Sequence, residues 1–486
     1  MRFIKKLFPQ SFKNVYHLLQ ALLANFRYGF PARKLKVIGV TGTDGKTTTV
    51  QMIAKILQKA GKKVAVASTI NFVIDGVEEK NLSHYTTESP FALQKFIRQA
   101  VAAGCEYLVL ETSSHALDQY RVWGIDFQVA VITNVTREHL DYHKTMEKYR
   151  AAKKILFENV AKKISVISHQ PASSADRSSA IIVNADMERP AEFLNFDVSK
   201  KFVYSVKGNQ LPMTDDRLQY VYAEEIELGI SYSKFKIQNS KFVLNVPGLF
   251  NVENALAAVC VALGEGIDLA QASEALSEIK GVAGRMEAVE NDLGVNILVD
   301  FALTPNALEK LYSLLFSVKK EGAKIIAILG SCGDRDQGKR PLMGEIVAKY
   351  ADLIILTNEE PYHEEPQAII DQIFVGVIAE EKCENAESNG SSNFQFPISL
   401  PTGQAGNFQI NPNDQISKPK KKMVEGENCW RILDRRQAIA RALSLAKKDD
   451  IVCITGMGNF ETMVVGDEKL PWNDRKVIEE ELGKIQ

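Results

Sequence analysis

The stretch Gly39-Val40-Thr41-Gly42-Thr43-Asp44-Gly45-Lys46-Thr47-Thr48 constrains this chain more than any other. It follows the apolar run Leu35–Val40 and opens Thr47–Ala60, where Val50, Ile53, Ala54 and Leu57 recur at helical spacing. It therefore joins a strand to a helix, with Gly61 as the helix stop. Glycines at such a junction let backbone N–H groups close around phosphate oxygens at the helix N-terminus. Lys46 brings positive charge for the β- and γ-phosphates, and Thr47 a hydroxyl for Mg²⁺. The strict GxxxxGK[ST] spacing asks for glycine at position 40, where this chain has Val40. The competing reading is a glycine-rich structural turn; Lys-Thr-Thr in this context favours a nucleotide site. Its cofactor-binding candidates are Thr41, Gly42, Thr43, Asp44, Gly45, Lys46, Thr47 and Thr48.

Further apolar strands are predicted at Lys63–Ser68, Tyr107–Glu111 and Gln128–Thr133, separated by helical stretches. That alternation gives an α/β fold, a P-loop-type central ATPase domain on a mostly parallel sheet. A second alternation begins after Gly284. Strands are predicted at Ile297–Asp300, Lys324–Leu329, Leu353–Thr357 and Ile451–Thr455, with helices near Pro305–Phe316, Pro341–Lys349, Gln367–Phe374 and Arg436–Ala446. It reads as a smaller Rossmann-like α/β domain. The chain of 486 residues has room for about three such units. The expected division is 1–33, 34–283 and 284–486. A polar segment at about 379–428, rich in Asn, Ser, Gly, Gln and Pro, is too poor in apolar residues to order itself.

Charge is uneven along the chain. Lys and Arg number 59 against 60 Asp and Glu, so no global field favours nucleic acid. Yet no acid precedes Asp44, while Arg2, Lys5, Lys6, Lys13, Arg27, Arg33, Lys34 and Lys36 all do. Within this basic cap, Val15, Leu18, Leu19, Leu22, Leu23 and Phe26 share one face of a predicted helix. Such a helix (within residues 1–30) either packs its apolar face onto the ATPase domain or lies at an anionic membrane surface. No run of 18 apolar residues predicts a membrane span. The six cysteines form no CxxC and suit a reducing cytoplasm.

Glu111 ends a predicted strand, and in a parallel sheet such a residue lines the ligand crevice, where a carboxylate can hold a metal. It can equally be a helix cap or an ion-pair partner. His139 and His143 follow another strand; without HExxH or a cysteine partner they do not read as zinc ligands, and His139 beside a Mg²⁺–phosphate centre is the functional reading. Lys153 on its own reads as a solvated helix charge.

In order along the chain, Thr41–Thr49, Thr86-Thr87, Glu111–Val122, Thr133–Phe157, Gly248–Ala258, Gly284–Glu287, Gly333–Met343 and Gly466–Asp474 resemble the motifs of the Mur ligases. These are ATP-dependent amide ligases of peptidoglycan precursor synthesis, and the likeness is greatest to the MurE type, the muramyl-tripeptide synthetases. The resemblance implies a catalytic set of Lys46, His139, Lys153 and Arg285. It makes Thr47, Glu111, His139 and a carbamylated Lys153 the Mg²⁺ ligands. Asn251 and Asn254 would lie on the adenine side, and Arg285 and Asp300 would reach ATP from the C-terminal domain. Thr86, Thr87, Ser114, Gln119 and Arg121 would grip a UDP-muramoyl dipeptide, and Arg335 a carboxylate of the incoming diamino acid. ATP would activate the dipeptide carboxylate as an acyl phosphate for attack by the amine.

Three departures stand against the family pattern. Family members carry a uridine-binding domain ahead of the phosphate loop, where this sequence has only the basic cap. Uridine recognition is therefore expected to be weaker, built differently or supplied by another chain, or the carrier to be a different one. A DYAHTPD pattern reads Asp300-Phe301-Ala302-Leu303-Thr304-Pro305-Asn306, losing an imidazole and an acid. A non-catalytic, partner-dependent ATP-binding scaffold thus stands beside the active ligase, with a folylpolyglutamate-type ligase as the remaining alternative. The diaminopimelate-selective DNPR motif reads Glu359-Glu360-Pro361-Tyr362, and a GKGHE-like stretch ends at Glu461 with its acid displaced by one. Glu359, Glu360 and Glu461 then either meet a cationic ammonium or form a solvated acidic loop.

Overall fold

A computed structural model describes residues 10–161, 179–379 and 422–485. Arg2, Lys5 and Lys6 of the basic cap, and nearly all of the polar segment expected at 379–428, lie outside the described residues.

Strand β1 (Lys36–Thr41) is the centre from which the first sheet is wound. β2 (Val64–Ala67), β3 (Asn71–Ile74), β4 (Val77–Lys80) and β5 (Tyr107–Glu111) lie on one side of it. β6 (Phe127–Ile132), β7 (Ala180–Asn184), β8 (Lys200–Ser205) and β9 (Leu218–Tyr222) lie on the other. The order is β4-β3-β2-β5-β1-β6-β7-β8-β9, parallel except for β3 and β4, an antiparallel ribbon at the edge. The chain leaves β1 toward β2 and later returns to β6 on the opposite side, so the crevice at the C-terminal ends of β5, β1 and β6 is the topological switch point. Register brings Val40 opposite Glu111 and Thr41 opposite Ile132, which fixes what meets in that crevice.

Both faces of this sheet are covered, as a parallel sheet requires. Helices Lys46–Lys59, Leu249–Gly264 and Leu269–Ser277 supply one core, and Pro90–Ala102 and Met146–Ala161 the other. Leu249–Gly264 is buried nearly all round, which is why its sequence shows no polar face. A small antiparallel sheet of β10 (Glu224–Leu228), β11 (Ser233–Ile237) and β12 (Ser240–Leu244) packs beside the first core.

The second sheet runs β13-β14-β18-β15-β16-β17. Its strands are β13 (Glu287–Val289), β14 (Asn296–Asp300), β15 (Ile325–Leu329), β16 (Leu353–Leu356), β17 (Cys429–Arg431) and β18 (Ile451–Thr455). All pairings but β13–β14 are parallel. Helices Pro305–Val318, Lys339–Tyr350 and Pro366–Ile378 cover one face, and Arg435–Leu445 and Asp474–Ile485 the other. A hairpin, β19 (Thr462–Val465) and β20 (Glu468–Pro471), projects from it toward the first sheet's β3–β4 ribbon. The five cysteines among the described residues are all free, and none of the helices described is long and apolar enough to cross a membrane.

The N-terminal helix runs Gln10–Tyr28, and its orientation corrects the inward-packing expectation. Ala21, Ala24 and Asn25 are the residues buried, and the helix lies against Pro90–Ala102. Asn25 donates to the Trp123 carbonyl at 2.9 Å and Asn14 to the Asp118 carbonyl at 3.1 Å. The small residues allow close approach, and this turns the large apolar ones outward. Val15, Leu19, Leu23 and Phe26 are 54%, 53%, 62% and 70% exposed, with Leu18 and Leu22 half-buried at the margin.

One ion pair locks the second sheet to its last helix. Arg435 donates to both carboxylate oxygens of Asp474, at 2.8 and 2.6 Å, with both residues buried, and to the Thr455 carbonyl at 2.9 Å. Removing one partner strands the other charge in the interior. Asp474→Ala is expected to lower unfolding stability by about 3–5 kcal/mol in a urea titration; a loss inside experimental error would contradict this role.

Candidate active site

The phosphate loop is held by contacts that leave no room for side chains at two of its glycines. Gly42 (φ +152°) lies so close to Thr133 that a Cβ would come within 1.8 Å of Oγ1. At Gly45 (φ +83°) a Cβ would meet Asn254 Oδ1 at 2.3 Å. Around them, Thr133 Oγ1 donates to the Asp44 carbonyl at 2.6 Å, and the Asp44 N–H donates to Asn134 Oδ1 at 3.0 Å. Thr41 and Thr48 are buried beneath the loop, and Thr43 Oγ1 lies 3.1 Å from the Tyr149 hydroxyl. Lys46 Nζ folds back onto the Thr43 carbonyl at 2.9 Å. Helix Lys46–Lys59 begins on Gly45 with no side-chain cap, so its first N–H groups are free to meet an anion. The two asparagines expected on the adenine side are buried supports of this loop. Asn254 accepts from Thr49 Oγ1 at 3.2 Å and donates to Asn251 Oδ1 at 3.3 Å, while Asn251 donates to the Pro247 carbonyl at 2.7 Å.

Glu111, at the end of β5, is 1% exposed and accepts from Thr47 Oγ1 (3.0 Å), the Thr69 N–H (2.8 Å) and Thr69 Oγ1 (2.9 Å). Thr69 was not singled out from sequence; it is found only because β2 neighbours β5. The juxtaposed Thr47 hydroxyl and Glu111 carboxylate are hard oxygen donors of the kind Mg²⁺ takes. His139, in the left-handed region at φ +57°, has a buried Nδ1 with no hydrogen-bond partner. Among the described residues no group of three or more His, Cys, Asp or Glu is arranged to hold a metal. Mg²⁺ keeps several waters and substrate phosphates, so one carboxylate beside a hydroxyl fits it better than it would fit zinc.

Three imidazoles share this crevice. His115 stands edge-on to His139, ring centroids 4.6 Å apart, and His143 Nε2 lies 3.0 Å from Ser114 Oγ. Burial pushes His139 well below its usual range, and the neighbouring His115, Lys153 and Lys46 add to it. Burial also lowers His115 to about 3 and His143 to about 4, so all three are neutral at physiological pH.

Lys153 contradicts the solvated-charge reading. It is 1% exposed, donates to the Gly42 carbonyl at 2.7 Å and lies 4.3 Å from the centre of the Tyr149 ring. Burial first, then Lys46, drives its amine well below the ordinary lysine range. A neutral amine beside a phosphate loop is the form that can take up CO₂ as a carbamate.

Beyond β5 the expected dipeptide-binding residues form one group. Thr87 Oγ1 donates to the Glu111 carbonyl at 2.9 Å and accepts from the Ser113 N–H at 3.0 Å. Arg121 donates to the Thr87 carbonyl and to Gln119 Oε1, both at 2.9 Å. Ser114 joins through His143, and Thr86 is half-buried next to Thr87.

The second sheet reaches this crevice from the far side. Thr304 caps helix Pro305–Val318 and also donates to Asp44 Oδ1 at 3.2 Å; Asn306 donates to Asp44 Oδ2 at 3.2 Å. Arg285 lies 4.3 Å from the centre of the Phe301 ring, and Asp300 accepts from the Met286 N–H at 2.7 Å. Burial raises Asp300 to about 6 against the opposing pull of Arg285. Arg335 sits 5.7 Å from the centre of the Tyr362 ring.

The acids expected near the amine behave differently from one another. Glu359 and Glu360 are buried, which overturns the solvated-loop alternative for these two. Glu359 Oε1 accepts from Cys332 Sγ at 2.9 Å, its Oε2 has no partner, and burial raises the carboxyl to about 7. Glu461 is held by Lys80 at 2.5 Å and Lys476 at 3.0 Å. His84, which sequence reasoning passed over, spans the two sheets. Its Nδ1 is 3.1 Å from Glu360, its Nε2 2.8 Å from Thr462 Oγ1, and its ring stacks on Phe460 at 4.1 Å. Its position two residues before Thr86 was the available signal.

Comparison with known proteins agrees with this geometry. The profile of the Mur ligase middle domain matches residues 40–262, and that of the Mur ligase glutamate ligase domain residues 284–389. A UDP-N-acetylmuramoyl-L-alanyl-D-glutamate–2,6-diaminopimelate ligase of Syntrophomonas wolfei is 34% identical over 471 residues, covering 96% of this chain and 82% of that protein. A UDP-N-acetylmuramyl-tripeptide synthetase of a Roseiflexus species is also 34% identical, over 93% of this chain and 80% of its own length. A solved diaminopimelate ligase superposes with a TM-score of 0.55 at 26% identity, over 93% of this chain and 79% of that one. The chain belongs to the Mur ligase family of ATP-dependent ligases.

Proposed function

We propose that this protein adds a diamino acid to a UDP-N-acetylmuramoyl-L-alanyl-D-glutamate-type precursor, as a cytoplasmic step of peptidoglycan biosynthesis. The observation that carries the reading is the link through Glu111: its carboxylate receives the phosphate-loop Thr47, and its carbonyl receives Thr87 of the Thr87–Gln119–Arg121 group. A nucleotide phosphate and an anionic substrate would thus meet at the end of one strand. In this reading residues 34–283 form the ATP-binding domain and 284–486 the domain that brings the amine.

The chemistry requires two anions, a carboxylate and the γ-phosphate, to come together, so charge stabilisation is the main resource. Lys46 lies across the loop and offsets phosphate charge; Arg121 orients the acid substrate. Arg285, already close to the crevice, stabilises charge that develops on the transferred group. Thr47 and Glu111, with His139 and a carbamylated Lys153 behind them, would hold Mg²⁺, which when bound neutralises phosphate charge. Being neutral, the histidines add no charge of their own beside Lys46, and a neutral imidazole is the form that can ligate a metal. On the amine side, Arg335 takes the α-carboxylate, and the Glu359–Glu360–Tyr362 region receives the distal end of the diamino acid.

Three measurements test these assignments. ADP and phosphate release should depend on both the muramyl dipeptide and an amine, with diaminopimelate, lysine and ornithine compared; turnover identifies the amine, and none across the panel overturns the reading. Lys153 should carry one added CO₂ in ¹³C-bicarbonate NMR, and Lys153→Ala should lose about 10²-fold or more in kcat. A variant with full activity and no bicarbonate dependence would remove that role. Glu359 titrates near 7 in the fold and near 4.5 when unfolded, so the native state binds the extra proton and stability falls as pH rises between those values. Glu359→Gln should therefore stabilise the protein more at pH 8 than at pH 5; an equal change in Tm at both would refute the buried-acid assignment.

A further inference from the structure

The N-terminal helix Gln10–Tyr28 has two faces with opposite fates. Its inner face, with Asn14, Ala21, Ala24 and Asn25, is spent on helix Pro90–Ala102 and the Asp118–Trp123 turn. Its outer face presents Val15, Leu19, Leu23 and Phe26, all more than half exposed, with Tyr16 beside them at 53%. From Val15 to Phe26 this stripe is about 16 Å long at 1.5 Å per residue. Large apolar side chains in a contiguous exposed stripe mark an interaction surface rather than ordinary surface composition.

Charge and shape identify the partner. Lys13 and Arg27 border the stripe on the side of Tyr16 and Gln20, and Arg33 and Lys34 follow in the next turn. No acid occurs anywhere before Asp44, although eight lysines and arginines do. Asp118, an acid that the inner face of the helix meets, is already engaged by Asn14 and by the Tyr142 hydroxyl. Because the opposite face is packed on the protein, the stripe forms a convex ridge rather than a free helix able to enter a groove. A convex apolar ridge with a basic border fits a planar anionic surface, where the side chains enter the acyl boundary and the cations meet phosphates.

We propose that this helix docks the protein on an anionic phospholipid bilayer, lying in the plane of the interface. The exposed stripe itself contains none of the residues assigned to the active site, so binding and turnover can be read separately. The test is cosedimentation of the full chain with phosphatidylcholine vesicles and with phosphatidylcholine–phosphatidylglycerol vesicles. Binding should occur with the second and not the first, and should weaken as salt is raised. Leu19→Gln/Leu23→Gln should reduce it by at least about tenfold while thermal unfolding and turnover stay unchanged. Lys13→Glu/Arg27→Glu, which leaves the apolar stripe intact, should also lower binding to the anionic vesicles. Sedimentation of the leucine variant equal to that of the parent protein overturns the proposal, as does failure to bind anionic vesicles at all. A concentration-dependent dimer abolished by the leucine substitutions would assign the ridge to a second copy and overturn it equally.

Discussion

Everything at the switch point depends on how closely the phosphate loop can lie against β6 and helix Leu249–Gly264. Gly42 touches Thr133 and Gly45 touches Asn254 at distances that exclude a Cβ, and both have positive φ. Only glycine satisfies both demands at once. With the loop seated there, the N-terminus of Lys46–Lys59 opens into the crevice, Thr47 reaches Glu111, and Lys153 reaches the Gly42 carbonyl from behind. A shift of the loop by the width of a methyl group would break both contacts together. Val40, the residue that departs from the strict phosphate-loop pattern, lies inside β1 and is fully buried, so the strand rather than the loop absorbs the difference.

Burial then decides the charges. Lys46 and Lys153 both approach the same loop, and two ammonium groups so near one another, one of them fully buried, cannot both stay charged at ordinary cost. The buried one yields. His139, His115 and His143 yield in the same way, in a crevice rimmed by Asp44 and Glu111. Close to the phosphate loop, burial thus favours the neutral forms of Lys153 and the three histidines, while Arg121 and Arg285 approach from the sides of the crevice.

Much of this was legible in the sequence, where pattern and local chemistry coincide. The strands that carry the crevice, β1, β5, β6, β14, β15, β16 and β18, are near-continuous apolar runs between turn signals, and they were placed to within a residue or two. The ribbon β3–β4 and strands β9 and β10 were not, because their residues alternate weakly and face solvent on one or both sides. Among site residues, Lys46 and Thr47 could be read from motif and context, and Arg121 only through the family resemblance. Lys153 could not be read from spacing, since a helix lysine is ordinarily solvated; its burial follows from where helix Met146–Ala161 packs. Thr69 was invisible and His84 was passed over for a related reason: each matters through a neighbour far away in sequence. The N-terminal helix was expected over 15–26 and runs further, Gln10–Tyr28, and the wrong face was expected to pack, because periodicity locates an apolar stripe without saying which side small residues will leave free to pack.

The contacts between the two domains combine a small apolar seam, with Leu228, Ile230 and Phe250 against the second core and His84 stacked on Phe460, with a set of polar pairs. Lys339 meets Glu138 at 3.2 Å, His84 meets Glu360, Lys80 meets Glu461, and Thr304 with Asn306 meets Asp44. The last is where the departure from the family pattern has a physical consequence. The resemblance calls for an acid at 306, which would face the Asp44 carboxylate across a hydrogen-bond distance and repel it until a cation intervened. Asn306 instead donates an N–H to that carboxylate. In this chain the start of helix Pro305–Val318 therefore rests on the phosphate loop through direct hydrogen bonds to Asp44. Leu303, half-buried in the same turn, removes a second titratable group from that contact. With the two replacements this contact between the sheets is made by hydrogen bonding and packing, while Lys46, Glu111, Lys153 and Arg285 stand around the same crevice.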